Sequence, residues 1–139
     1  MVVGTLPAFE DKILLCKRAI EPRVGLWTVP AGFLENGESL LQGAWRETKE
    51  ETQAEVDMKE ILTIFNIPQI NQIYVIYRAD IEDNSFGPTS ESLDVQLFSY
   101  DEVPWEELAF PFVPKTINHY YECLKNKKFN LHTEDIIRR

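Results

Sequence analysis

The stretch Gly32-Phe33-Leu34-Glu35-Asn36-Gly37-Glu38-Ser39-Leu40-Leu41-Gln42-Gly43-Ala44-Trp45-Arg46-Glu47-Thr48-Lys49-Glu50-Glu51 runs from a loop into a helix that gathers charge. Ser39 suits the N-cap, because its hydroxyl accepts from a free backbone N–H of the first turn. Beyond it, Leu41, Ala44, Trp45, Thr48 and Thr52 recur at spacings of three and four, which predicts a mostly apolar helix face ending near Gln53. Glu47, Glu50 and Glu51 stand at i, i+3 and i+4, so three carboxylates share one side of that helix. Like charges so placed cost a bare helix roughly 0.2–0.5 kcal/mol per pair. A hard divalent cation, Mg²⁺ or Mn²⁺, offsets that repulsion through oxygen ligands. The triplet alone also describes a solvated helix face paired with Arg46 and Lys49.

Outward from this helix, Val2–Leu6 and Lys12–Lys17 read as strands joined by a turn at Glu10-Asp11. The segment from Ala19 to Glu38 reads as a long loop around a short strand, Leu26–Val29, and loops of that length in a compact domain tend to be functional. Ile61–Ile67 and Gln72–Ile81 are strands, the second rich in β-branched and aromatic residues. Asn84–Ser92 is a polar loop broken at Gly87-Pro88, Val95–Tyr100 a further strand, and Asp101–Leu108 a short helix. Pro114–Lys127 closes the chain as an amphipathic helix, with a basic, frayed tail at Arg138-Arg139. Strands interrupted by one helix and closed by another define an α+β class.

The 139 residues, 44% hydrophobic, suffice for one domain with a core. No apolar run reaches the roughly 18 residues of a membrane helix, and the start lacks a signal-peptide pattern, so a cytoplasmic protein without a membrane partner is expected. The net charge of −9 argues against a nucleic-acid partner, whose phosphates require Lys and Arg. An anionic substrate would instead need bound divalent metal to offset repulsion. Cys16 and Cys123 form no C-x-x-C pair, and Cys16 reads as a small buried hydrophobe.

Gly32, Glu38, Arg46, Glu47, Glu50 and Glu51 together spell Gly-x5-Glu-x7-Arg-Glu-x-x-Glu-Glu. This resembles the signature of the Nudix hydrolase family, G-x5-E-x7-R-E-U-x-E-E-x-G-U, where U is aliphatic. Thr48 and Ala54 stand where aliphatics are usual, and Gln53 replaces the last glycine, which normally lets the chain turn sharply after the helix. The likeness continues through Val3-Gly4, Leu26-Trp27-Thr28-Val29-Pro30-Ala31-Gly32-Phe33 and Val95-Gln96-Leu97-Phe98. Pro22, Gly25, Asn71-Gln72-Ile73-Tyr74 and Glu91-Ser92-Leu93 make it most similar to bacterial Nudix proteins and plant plastid FAD/ADP-ribose diphosphatases. Bacterial members often carry an N-terminal zinc ribbon, so residues 1–139 are expected to be a single Nudix domain that lacks such an upstream module.

The resemblance implies a mixed sheet sandwiched between helices and Mg²⁺-dependent hydrolysis of a nucleoside diphosphate derivative, with ADP-ribose or FAD as substrate. A nucleoside triphosphate or dinucleoside polyphosphate hydrolase is the rival enzyme, and a non-catalytic nucleotide sensor the rival of another class. It implies that Glu47, Glu50, Glu51 and the Ala31 carbonyl hold metal, that Arg46 orients Glu47, and that Glu38 supports the helix start. The general base is a box glutamate or a later acid, Glu91, with Asp94 in reserve. Arg18 and Arg23 are candidates to reach a phosphate. Phe33, Phe65, Tyr74 and Tyr77 are available for ring stacking, with Phe33 and Tyr74 preferred and at least half of the four expected in the core. Trp27 and Trp45 are expected in the core, and His119 and His132 without a role. A homodimer would use an exposed first strand or Phe110-Pro111-Phe112.

Overall fold

The computed structural model describes residues 1–83 and 85–137. Among the described residues, eight strands form one sheet: β1 (Val2–Phe9), β2 (Lys12–Arg18), β3 (Trp27–Thr28), β4 (Ala31–Phe33), β5 (Val56–Ile67), β6 (Gln72–Ile81), β7 (Ser92–Phe98) and β8 (His132–Asp135). Their order is β3-β2-β1-β6-β5-β8, with β4 also on β1 and β7 also on β2. The sheet is mixed: β1 runs parallel to β6 and β5 to β8, and the remaining pairs are antiparallel. Two helices cover it, α1 (Leu40–Thr52) and α2 (Phe112–Asn126).

The burial of β1 on both faces follows from that sandwich. Val3, Val75 and Tyr77 pack with Ala44 of α1. Leu6, Leu15, Leu62, Phe65 and Ile76 pack with Phe112, Val113, Ile117 and Tyr120 of α2. The expected α+β class, with helices on both sides of the sheet, is therefore what the chain adopts. β1 lies between β2 and β6 and is buried rather than exposed at an edge, and of Phe110-Pro111-Phe112 only Pro111 is exposed, Phe112 being core.

Several elements differ from expectation. In place of one short helix over Asp101–Leu108 there are two separate single-turn 3₁₀ helices, Tyr100–Glu102 and Trp105–Glu107. Two strands, β4 and β8, were not anticipated. Asn84 and the Arg138-Arg139 tail lie outside the described residues.

Leu41 and Trp45 are exposed, not core. α1 instead turns Gly43, Ala44, Glu47, Thr48, Glu51 and Thr52 inward. The helical period is the expected one, but its phase is rotated, and carboxylates occupy the buried side. Ser39 caps it as expected: its hydroxyl accepts from the Gln42 N–H at 3.1 Å, and the Gln42 side chain accepts from the Ser39 N–H at 2.9 Å.

Thr48 explains why a hydroxyl is tolerated where an aliphatic is usual. It donates to the Ala44 carbonyl at 2.8 Å and sits 2.6 Å from the hydroxyl of Thr5, and both threonines are fully buried. Thr48→Val leaves the Thr5 hydroxyl without a partner and should cost about 1–3 kcal/mol in denaturant unfolding. Thr5→Val/Thr48→Val should recover much of that loss. A double variant as unstable as the sum of the single changes would show that the two hydroxyls do not act as a pair.

Candidate active site

A fork in the sheet creates the site. β1 pairs with β2 only at Ala8-Phe9, then with β4 through Val2–Gly4, while β2 pairs with β3 at Cys16-Lys17. The chain between the branches, from Thr28 to Glu35, lines a cavity of about 640 Å³. One wall is α1, contributing Arg46, Glu47, Glu50 and Glu51. Arg18, Tyr74, Phe110 and Phe112 also line it, as does Glu91.

Arg46 organises the acidic wall. Its Nε donates to Glu38 at 2.6 Å, Nη1 to Glu47 at 2.8 Å and Glu50 at 3.1 Å, and Nη2 to Glu38 at 2.9 Å and the Phe33 carbonyl at 3.2 Å. One planar fork thus holds two box carboxylates and both ends of the loop, which a lysine does not reproduce. The same contact holds the Glu38 carboxyl down at about 2, helped by the Glu35 backbone N–H.

Glu47 and Glu51 sit almost out of water. Burial pushes the Glu47 carboxyl above its ordinary value despite the opposing pull of Arg46. Glu51 is pushed much further, first by burial, then by the charge and hydrogen bond of Glu47 and the charge of Glu91, with the Ala31 backbone N–H opposing only in part. Its Oε2 is buried without a hydrogen-bond partner. Carboxylate oxygens of Glu47, Glu50 and Glu91 lie within 4.8 Å of one another. Converging anionic oxygens beside an unpartnered buried one fit a hard divalent cation.

Gly32 stands where the backbone meets this cluster. A Cβ there would come within 2.6 Å of Glu47 Oε1 and closer to its other carboxyl atoms. The glycine of the motif is required for close approach rather than for a left-handed conformation.

Glu91 reaches the cluster because its loop is tied to the end of α1. The Gly87 N–H donates to the Thr52 carbonyl at 2.9 Å, and Gln53 Nε2 donates to the Pro88 carbonyl at 2.7 Å. A tight turn between Thr89 and Ser92 then presents Glu91. Gln53 itself adopts a left-handed conformation with φ of 65°, so it keeps the sharp exit a glycine would give and adds a side-chain tether.

Phe33 is exposed and lines the cavity, as does the half-buried Tyr74, whose ring meets Phe112 edge-on at 4.7 Å. Phe65 and Tyr77 belong to the core, so half of the four aromatic candidates reach the site. Arg23 is exposed at a turn and does not line the cavity. The carboxylate of Asp94 is engaged by the Val95 N–H and the Gln96 amide, outside the cavity. Trp27 is core. His119 contacts the Asn130 carbonyl and His132 contacts Glu134, both away from the cavity. Cys16 and Cys123 are free and buried, and burial pushes the Cys16 thiol strongly up. Phe110 and Phe112, which carry no signal for the site in the sequence, also line the cavity, where the start of α2 places them.

The fold and this constellation define a class, and comparison agrees with it: residues 1–120 match the NUDIX domain model, and the chain belongs to that family. A NUDIX hydrolase from Nitrosomonas europaea is 43% identical, with a TM-score of 0.96 covering 99% of this chain and 78% of that one. An ADP-ribose pyrophosphatase of Methanocaldococcus jannaschii is 29% identical over 105 residues, 73% of this chain and 61% of the relative. The NAD-capped RNA hydrolase NudC of Photobacterium profundum is 37% identical over 60% of this chain but only 31% of its own length. The chain thus spans about three-fifths of the first curated relative and about a third of the second. Among the described residues, no helix is long and apolar enough to cross a membrane.

Proposed function

We propose that this chain hydrolyses the diphosphate linkage of a nucleoside diphosphate derivative, with ADP-ribose or FAD as substrate and Mg²⁺, or Mn²⁺ in its place, as cofactor. The observation that carries this reading is the convergence of Glu47, Glu50 and Glu91 beside the unpartnered buried oxygen of Glu51, in a cavity with an aromatic wall. The archaeal relative, an ADP-ribose pyrophosphatase, favours ADP-ribose among the candidates.

Glu47, Glu50, Glu51 and the Ala31 carbonyl would hold the cation; all four residues line the cavity, and the Glu91 carboxylate lies within 4.8 Å of those of Glu47 and Glu50. A bound divalent cation supplies a Lewis acid that neutralises phosphate oxygens and makes water more acidic. Arg46 keeps Glu47 and Glu50 in place, so the anionic wall needs no rearrangement when substrate arrives. Glu91, carried on a loop rather than on α1, takes the proton from the attacking water. Phe33 and Tyr74 offer ring faces to the nucleoside.

The test is a panel of ADP-ribose, FAD, NADH, diadenosine polyphosphates and 8-oxo-dGTP, assayed for products with Mg²⁺ and with EDTA. ADP-ribose should give AMP and ribose 5-phosphate with Mg²⁺ alone. Glu91→Gln should lower kcat by about 10²–10⁴-fold, the range for a lost general base. Preferential cleavage of the triphosphate would replace the substrate assignment, and no cleavage of any member would remove the enzymatic reading.

A further inference from the structure

Two arginines line the cavity, and they differ in what is left to them. Arg46 is committed to Glu38, Glu47, Glu50 and the Phe33 carbonyl through all three of its nitrogens. Arg18 has only its Nε engaged, donating to the Pro22 carbonyl at 2.7 Å. Its guanidinium lies over the Phe110 ring at 5.1 Å from the centroid. Among the described residues its two terminal amino groups have no acceptor and no ion pair, so a fixed cation keeps donors in reserve.

Its place in the fold is specific. Arg18 ends β2 opposite Ser92 of β7, and the next residue, Ala19, donates its N–H to the Glu91 carbonyl at 3.1 Å. Arg18 is therefore tied on one side to the loop that presents Glu91 and on the other to the aromatic wall. That wall continues through Phe110, Phe112 and Tyr74 into a smaller apolar hollow closed by Ile67, Pro111 and Ile136. The lining passes from carboxylates to an uncommitted cation to aromatic rings. A nucleoside monophosphate unit has the matching sequence of charge and ring.

We propose that Arg18, steadied by Phe110 and the Pro22 carbonyl, is the receptor for the phosphate on the nucleoside side of the substrate. This rests on the diphosphatase reading for its meaning, but not for its test. With Arg18 the one uncommitted arginine in the lining, the protein supplies a direct partner for one phosphate.

The experiment compares the affinities of AMP and adenosine, by chemical-shift titration in EDTA, for wild type, Arg18→Gln and Phe110→Leu. Both ligands carry the same ring, so the ratio of their affinities isolates the phosphate. Arg18→Gln should lower that ratio by about tenfold, equivalent to about 1.4 kcal/mol, with adenosine binding little changed. Phe110→Leu, which removes the prop and leaves the charge, should lower the ratio severalfold. With ADP-ribose and Mg²⁺, Arg18→Gln should raise KM by about the same factor. A ratio unchanged in both variants overturns the proposal, as does a wild type that binds neither ligand at millimolar concentration. If the ratio falls as expected but wild type cleaves no diphosphate, Arg18 stands as a phosphate receptor and the hydrolytic reading fails.

Discussion

Glu51→Gln should make the metal-free protein more stable at about pH 8, and at the same time lower diphosphate cleavage by roughly 10²–10⁴-fold, as losses of essential acid–base and metal-liganding groups do. The two effects have one cause. Glu51 is buried, faces Glu47 and leaves Oε2 without a partner, so its carboxyl holds a proton well above the ordinary carboxylate range. The unfolded chain releases that proton near the ordinary glutamate value of 4.5, the folded chain only at higher pH. Between those limits the unfolded state binds fewer protons, so stability falls as pH rises. Glutamine cannot titrate and so escapes this penalty; a gain of about 2 kcal/mol is expected, within the roughly 1–4 kcal/mol seen when buried ionisable groups are replaced by uncharged ones of similar volume. For a domain of this size that is a rise in Tm of several degrees.

The order should reverse with cation. A ligand at about 100 times its Kd adds about 2.7 kcal/mol to a protein that binds it only when folded. Wild type should therefore overtake the variant in Mg²⁺. Glu38 behaves oppositely: its lowered carboxyl adds stability above 4.5 that is lost as pH falls toward about 2. Thermal melts across pH, with EDTA and with Mg²⁺, separate the two windows. A Glu51→Gln protein that melts below wild type in EDTA at alkaline pH would contradict the strained-carboxylate account.

Gly32→Ala is the second large effect, and it acts by displacement. The added methyl occupies the space of the Glu47 carboxyl, which must swing away from Arg46. The obstructed atoms are the end of a flexible side chain, so the sheet should survive and stability should change by no more than about 1 kcal/mol. Misplacing a catalytic carboxylate by an ångström costs about 10²-fold in rate. We expect kcat/KM to fall by at least that factor, with a nearly unchanged circular dichroism spectrum. Activity within a few-fold of wild type would mean that the position of Glu47 is not critical.

The strands around the core were legible because alternation and β-branching mark them: Gln72–Ile81 is bounded in the structure as the sequence reads. β8 was missed because His132-Thr133-Glu134-Asp135 carries no apolar signal and exists by pairing with the edge of β5. β4 was missed because its three residues, Gly32 among them, look like loop and become strand only against β1. α1 shows a more general limit. Leu41 and Trp45 set the apparent apolar face, yet the buried side carries Glu47 and Glu51. Burial of carboxylates is a local conflict that sequence periodicity reads as solvent exposure, and such conflicts concentrate at functional sites.

The charged positions of the site were readable from spacing. Their distances were not, since Glu91 comes close to Glu47 only through tethers from Thr52 and Gln53 to Gly87 and Pro88, more than thirty residues on. Arg23 and Arg18 looked equivalent in sequence. The turn at Arg23 and the end of β2 at Arg18 separate them, and only the latter lines the cavity.

The measurement that tests the central claim most directly is calorimetric titration of Mn²⁺ into metal-free wild type and Glu50→Gln at about pH 8, beside the rate of ADP-ribose cleavage at each metal concentration. If the carboxylate wall of α1 is the cation site, wild type binds the ion and its rate follows occupancy. The variant should bind more weakly by at least the roughly 10–100-fold that loss of even an outer partner costs, with its rate displaced to match. Equal Mn²⁺ affinity in the two proteins, or cleavage that proceeds unchanged in EDTA, would contradict it.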